Sequence, residues 1–476
     1  MFRKSDTHIH FVGIGGIGMS GIAEVLLTLG YQVTGTDIAE SEVTRRLTQL
    51  GATVHRGHAS EFLGDADVVV VSSAVRADNP EVIAARSRHI PVIQRAEMLA
   101  ELMRLKQGIV IAGSHGKTTT TSLIASVLQR AGLDPTVVIG GKLNSLGSSA
   151  RLGSSDLLVA EADESDGSFL VLTPTFAVVT NIDDEHMDHY GTMQRLCDAF
   201  VGFANRVPFY GLSVLCSDDP RVAAMLPRLT KRALTYGFNA EADYSAYDLR
   251  HDGPQTIFRV RARGEEAGEF VLHMPGVHNV LNALATIAIA DAQGVERALT
   301  RAALAEFTGV QRRFTIRSMG RSTGGSTGRS MGRGTGSDVM VVDDYGHHPT
   351  EIRATLAGAR TSYPRRRLVA VFQPHRYSRV RDHLEAFAAC LDAADAVVLT
   401  DIYAAGEAPI EGVSIERLCE LTRARRPGRV VRLDKSVVGL ADRLAAETRP
   451  GDLVITLGAG SVTRVSHELA ALLART

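Results

Sequence analysis

Tryptophan is absent from the 476-residue chain, and aromatic residues make up only 5% of it. That leaves little material for the stacking platforms that hold single-stranded nucleic acid. Neither sign of charge dominates. The formal net charge is -1, which argues against a strongly electrostatic nucleic-acid binder. The four cysteines, Cys197, Cys216, Cys390 and Cys419, stand far apart with no C-x-x-C pair. A zinc site or a disulfide framework is therefore not expected, and scattered thiols suit a reducing cytosol. No apolar run approaches the ~18 residues of a membrane span. The strand-like "HIHFVGIG" begins within ten residues of the start and is broken by glycines, which does not fit a signal peptide. The expectation is a soluble cytoplasmic enzyme, monomer or homodimer, with no nucleic-acid or membrane partner.

Hydrophobic residues supply 45% of the chain, enough for a core in each of the roughly three domains that this length implies. Segment 1–106 alternates strand-like and helix-like stretches: "HIHFVGI", "GMSGIAEVLLTLG", "YQVTGTD", "EVTRRLTQLG", "ADVVVVSSAV". Such β-α-β alternation predicts a parallel sheet. Segment 107–315 repeats the rhythm, with "GIVIAG", "DLLVAEADES" and "FAVVTNIDDEH" as strands ending in acids or histidine. Segment 316–476 does so again through "DVMVVDDYGHHP", "RRLVAVFQPHRYSR", "ADAVVLTDIYAAGEAP" and "GDLVITLGAGS". Within it, residues 318–337 read "SMGRSTGGSTGRSMGRGTGS", seven of twenty being glycine. That composition cannot build a core and predicts a flexible insertion.

Two glycine motifs speak of nucleotides. "GIGGIG" at 13–18 follows a strand, opens a helix, and has Asp37 nineteen residues after Gly18 at the end of the next strand. Close backbone approach, a helix N-terminus and a carboxylate suit a diphosphate and a ribose hydroxyl. The pattern serves NAD, FAD or another diphosphate ligand alike. "GSHGKTTT" at 113–120 lies between an apolar strand and a helix. Its backbone N–H groups from Gly113 to Gly116 can cradle oxygens, Lys117 can meet β- and γ-phosphates, and Thr118 can bind Mg²⁺. The usual P-loop glycine six residues before the lysine is Ile111 here, so the loop is a shorter variant.

Other polar clusters are less specific. Glu161 in "EADESD" suits magnesium, although an acidic strand end is more often a solvated cap. "NIDDEHMDH" at 181–189 packs four acids and two histidines into nine residues, a density that suits a metal ligand or base. Asn279 and Asn282 share a helical face and suit caps or a base contact. Arg312 and Arg313 precede the insertion, where arginine can clamp a phosphate as domains close.

Taken together, these motifs resemble the Mur ligases, ATP-dependent amino-acid-adding enzymes of peptidoglycan synthesis, whose central loop reads G-[ST]-x-G-K-[ST]-[ST]. "GSHGKTT" matches it, which accounts for Ile111. The likeness covers nearly the whole chain outside the insertion. It is strongest to the members that join L-alanine to UDP-N-acetylmuramate, through "HFVGIGGIGMSGIAEVL", "VVVSSAV", "PVIQRAEMLAELMR", "VDDYGHHPTE", "FQPHRYSR", "DIYAAGEAPI" and "GAGSV".

The resemblance implies an α/β protein of three domains: a Rossmann-like UDP-sugar domain (1–106), a P-loop ATPase-like central domain (107–315) and a Rossmann-like amino-acid domain (316–476). Gly15, Gly16, Ile17, Gly18, Asp37 and Ser73 would then meet the UDP-sugar. Gly113, Ser114, His115, Gly116, Lys117, Thr118, Thr119, Asn279, Asn282, Arg313 and Asp344 would meet ATP. Thr118, Glu161 and His186 would hold Mg²⁺. Tyr345, His347, His375 and Arg379 would receive the alanine, and Lys117, His186, Arg313, His348 and Arg376 would be catalytic. Glu185 stands where the family usually has Asp, and Thr315 follows "RRF" in place of Asp. No carbamylated lysine is expected. The implied activity is ligation through an acyl phosphate, with ADP and phosphate released. The nearest rival is a recycling ligase that attaches a preformed peptide to the same UDP-sugar; an NAD-dependent oxidoreductase and a non-catalytic nucleotide-binding regulator are more distant ones.

Overall fold

The computed structural model describes residues 7–72, 74–104, 106–139, 150–318 and 338–474. Ser73 and residues 319–337 of the glycine-rich segment lie outside the described residues, and of Ile17 only the backbone is described. The chain builds three sheets, each mainly parallel, as its alternating strand and helix patterns require.

The first sheet has five parallel strands in the order Thr53–Arg56, Gln32–Asp37, His8–Val12, Val68–Val71, Val92–Gln94. Strand order reverses between His8–Val12 and Val68–Val71. The crevice beyond their carboxyl ends is where open α/β sheets bind ligands. Both strands point into that crevice with loops, one carrying Gly13–Gly16 ahead of the helix Ile17–Thr28 and the other beginning at Ser72.

The second sheet has ten strands. Its centre places Gln107–Ala112 between Phe176–Val179 and Leu157–Glu161, all parallel, with Ala112 opposite Val179 and Ile111 opposite Glu161. Three strand ends therefore converge: the lysine loop and the two acidic segments that flank it. One edge is extended by Tyr244–Asp252, Gln255–Ala262 and Glu265–Leu272.

Chain contacts group into two compact units, Met1–Leu249 with Phe258–Leu272 and Asn279–Val310, and Arg250–Ile257 with His273–His278 and Gln311–Thr476. The first unit has a continuous apolar core running from Ile9, Phe11 and Leu26 through Leu102 and Met103 to Val110, Leu158 and Phe200. The five-stranded sheet and the lysine-loop region thus share one interior.

The second unit holds a six-stranded sheet in the order Thr315–Ser318, Met340–Asp344, Asp452–Leu457, Arg367–Phe372, Ala396–Leu399, Val430–Leu433. Only the first pair is antiparallel. Successive residues feed opposite cores: Met340, Val342, Ala370 and Ile455 on one face, Val341, Val369, Val371 and Val454 on the other. That is the pattern of a sheet covered by helices on both sides. Asp344, Phe372 and Leu457 end in register, so the segments after them meet at one edge.

Candidate active site

The lysine loop is braced by the acidic segment beside it. Ser114 N–H donates to the Asn181 carbonyl (3.0 Å), His115 N–H to Asn181 Oδ1 (2.8 Å), and His115 Nε2 lies 2.8 Å from Asp183 Oδ2. Gly116 caps the helix Lys117–Arg130 at φ +84°, a left-handed conformation that favours glycine. A methyl group there would also lie 2.7 Å from Asn282 Oδ1. Asn282 and Asn279 are buried in the helix Val277–Ala292. Asn282 Oδ1 accepts the Thr120 hydroxyl (3.1 Å), and its amide donates to Asn279 (3.3 Å). The asparagine pair therefore packs against the lysine-loop helix, with Asn282 one turn inside its own helix.

Lys117 is folded onto its own loop. Its Nζ donates to the Gly113 carbonyl (2.5 Å), the Ser114 carbonyl (3.2 Å) and Glu164 Oε1 (2.7 Å). Burial disfavours the ammonium, but the carboxylates of Glu164, Glu185 and Glu161 outweigh it and raise the pKa. His186 Nε2 lies 3.7 Å from the same Glu164 oxygen. Burial opposes its charge as well, and Glu164 and Glu185 raise its pKa in net. His186 takes a left-handed φ of +59°, a strained conformation of the kind that clusters at functional sites.

Glu164, Glu185 and His186 each offer a ligand atom, all within 4.8 Å of one another. Glu164 Oε2 is buried with no hydrogen bond. Two carboxylates and an imidazole, one oxygen unsatisfied, fit a divalent cation. Glu161 was the sequence candidate. It ends its strand facing the cleft described next, outside that three-residue group. Glu164 lies in the same "EADESD" string but was not singled out, because Glu161 is the acid that ends the strand and Glu164 stands in the loop after it.

One cleft of about 420 Å³ brings the two glycine motifs together. Gly16, Gly18 and Ser72 line it from the first sheet, and Lys117, Glu161 and Asp163 from the second. Arg95 also lines it, with Nη2 2.8 Å from Asp163 Oδ2. Burial raises the Asp163 pKa, but Ser165, Arg95 and Lys117 lower it in net. Asp37 stands behind the loop, where its carboxylate accepts the Gly15 N–H (2.9 Å) and the Ala39 N–H (3.3 Å).

The second unit gathers the remaining sequence candidates. Asp344 is buried. Its carboxylate accepts N–H groups of Phe314 (2.7 Å) and Gly346 (2.8 Å), and burial raises its pKa. Arg313 pairs with Glu351 (3.1 Å), and its guanidinium and that of Arg312 lie over the Tyr345 ring at 5.4 and 4.9 Å. His347 meets Tyr345 and His375 edge-on, and His375 stacks on Tyr403. Arg379 Nη1 is 3.4 Å from His375 Nδ1. Burial, with nearby guanidinium groups, pushes His347 down to about 3 and His375 to about 4. Arg376 is exposed at φ +67°. His348 is buried at the N-cap of the helix Pro349–Ser362, edge-on to His383. Tyr403 was not singled out in the sequence, since a tyrosine after a strand carries no motif.

These features define a class: an α/β enzyme that combines a variant P-loop with a Rossmann-like glycine loop on one cleft. Comparison with known proteins narrows it. Residues 8–107 match the Mur ligase family, catalytic domain; 111–290 the Mur ligase middle domain; and 328–460 the Mur ligase, glutamate ligase domain. The UDP-N-acetylmuramate–L-alanine ligase of Trichlorobacter lovleyi is 55% identical over 97% of this chain and 98% of its own. The solved UDP-N-acetylmuramate-alanine ligase of Thermotoga maritima superposes with a TM-score of 0.81 at 29% identity, covering 98% of this chain and 99% of that one. A murein peptide ligase from Psychrobacter arcticus shares the fold at a TM-score of 0.67 and 24% identity, covering 99% of each chain. The chain belongs to the Mur ligases.

Proposed function

We propose that the protein joins L-alanine to the carboxylate of UDP-N-acetylmuramate, with ATP converted to ADP and phosphate, as a cytoplasmic step of peptidoglycan synthesis. The observation that carries this reading is the shared cleft: the loop suited to a sugar-nucleotide diphosphate and the lysine suited to ATP open onto the same space. The near full-length identity to an L-alanine ligase supports the choice of acceptor and amino acid. The likeness to a murein peptide ligase is at the level of fold, so the recycling reading ranks second.

In this reading residues 1–106 bind the UDP-sugar, 107–315 the ATP and 316–476 the amino acid. An oxygen of the muramoyl carboxylate attacks the γ-phosphorus and ADP leaves, giving an acyl phosphate. The alanine amine attacks the acyl carbon, phosphate departs, and a proton is lost from nitrogen. Lys117 moves from Glu164 and its loop carbonyls to the β- and γ-phosphates. Gly113, Ser114, His115, Gly116 and Thr119 shape the phosphate cradle, and Asn279 and Asn282 fix it from behind. Thr118, Glu161 and His186 would hold magnesium, with Glu164 and Glu185 beside His186; the ion supplies charge neutralisation at the phosphate oxygens. Arg313 and Asp344 would also meet ATP. Arg376 and Arg379 suit the alanine carboxylate, beside Tyr345. The low pKa values keep His347 and His375 neutral near pH 7, so they line the amino-acid site without adding positive charge; His348 positions the helix behind them. Phosphate release that needs UDP-N-acetylmuramate, ATP and L-alanine together tests the reading, and release independent of the amino acid refutes it.

A further inference from the structure

Arg95 belongs to none of the nucleotide motifs. It opens the helix Arg95–Met103 after the last strand of the first sheet. Its side chain, 23% exposed, faces the cleft. A methyl group built on Gly18 would lie 2.8 Å from Arg95 Nη1 and 3.1 Å from its Cδ. The last glycine of "GIGGIG" thus makes room for a side chain of the protein itself. That side chain is a cation, and it sits at the first turn of a twelve-residue helix. The helix N-terminus carries partial positive charge, so the two features repel each other unless an anion joins them. Asp163 supplies one negative charge through a single hydrogen bond from Nη2. A guanidinium has five donors, and the rest of the fork has no other hydrogen bond among the described residues. Lys117, by contrast, is already held by Glu164 and two carbonyls.

The geometry points to Arg95 as the side chain that receives the diphosphate of the sugar nucleotide, seated by the missing side chain at Gly18 and aimed by Asp163. This rests on the proposed reading of the glycine loop as the sugar-nucleotide site. A planar fork matches phosphate oxygens in a way lysine does not.

Calorimetric titration with UDP, UDP-N-acetylglucosamine, UDP-N-acetylmuramate and ATP tests it. Arg95→Ala weakens all three uridine ligands by about 10- to 100-fold, the scale of a lost charge-assisted contact, and leaves ATP affinity unchanged. Gly18→Ala displaces the guanidinium and weakens the same three ligands with Arg95 still present. Unchanged affinity for UDP in Arg95→Ala overturns the inference. A loss confined to UDP-N-acetylmuramate also overturns it, because only that ligand carries the lactyl carboxylate. If Arg95→Ala loses ATP binding through misfolding, Arg95→Lys decides: weaker UDP with normal ATP supports the assignment, and unchanged UDP refutes it. A wild-type protein that binds none of the uridine ligands refutes the sugar-nucleotide reading itself.

Discussion

Replacing Gly116 by alanine strains the lysine loop in two separable ways. The left-handed φ of +84° costs an L-residue roughly 1–2 kcal/mol. The new methyl group meets Asn282 Oδ1 at 2.7 Å, so the buried amide must shift and give up the Thr120 hydroxyl. A lost buried hydrogen bond costs about 1–3 kcal/mol. The sum, about 2–5 kcal/mol, lowers the melting temperature of the first unit by about 4–15 °C for a domain of this size. Scanning calorimetry of Gly116→Ala, Asn282→Ala and the double variant separates the parts. The double variant loses less than the sum of the singles, by about 1–3 kcal/mol, because the clash has gone and only the backbone strain and the loss of the Asn282 side chain remain. Additivity within about 0.5 kcal/mol, the behaviour of independent sites, would refute the contact.

Lys117→Ala lowers phosphate release at least about 10²–10³-fold and leaves calorimetric affinity for UDP-N-acetylmuramate intact; normal release sinks the lysine's assigned role. Asp37→Ala frees the Gly15 N–H and weakens the UDP-sugar without changing ATP affinity, and unchanged sugar-nucleotide affinity contradicts this. His347, at about 3, and His375, at about 4, stay neutral in the fold while the unfolded chain takes up protons below about pH 6.5. Stability is therefore complete above that pH and falls as pH drops toward 4, by about 1.4 kcal/mol per pH unit for His347. Melting curves of His347→Gln lose part of this slope, and an identical slope argues against the burial.

Features carried by contiguous residues were legible in the sequence. The strand, loop and helix around Lys117, the loop at Gly13–Gly18 and the polar strand ends at Asp344 and His375 all lie where local pattern puts them. The three sheets follow from the same alternation. Contacts made across the chain were not legible. Arg95 and Asp163 are 68 residues apart and Lys117 and Glu164 are 47 apart, and an ion pair leaves no periodic mark on either partner. The Gly18 contact was hidden for the same reason: the motif announces that room is needed and not what fills it. The edge strands Tyr244–Asp252, Gln255–Ala262 and Glu265–Leu272 carry no motif and went unread. Asn279 and Asn282 read as caps or a base contact, since asparagine favours helix ends; in the fold the Asn282 carboxamide accepts the Thr120 hydroxyl.

ATP-dependent phosphate release, measured with UDP-N-acetylmuramate and L-alanine, glycine, L-serine or a tripeptide in turn, bears most directly on the central claim. The account predicts release and amide formation with L-alanine, and weaker turnover with glycine and L-serine. One methyl group separates such substrates by only about 1–3 kcal/mol. Turnover with the tripeptide and none with L-alanine would contradict it.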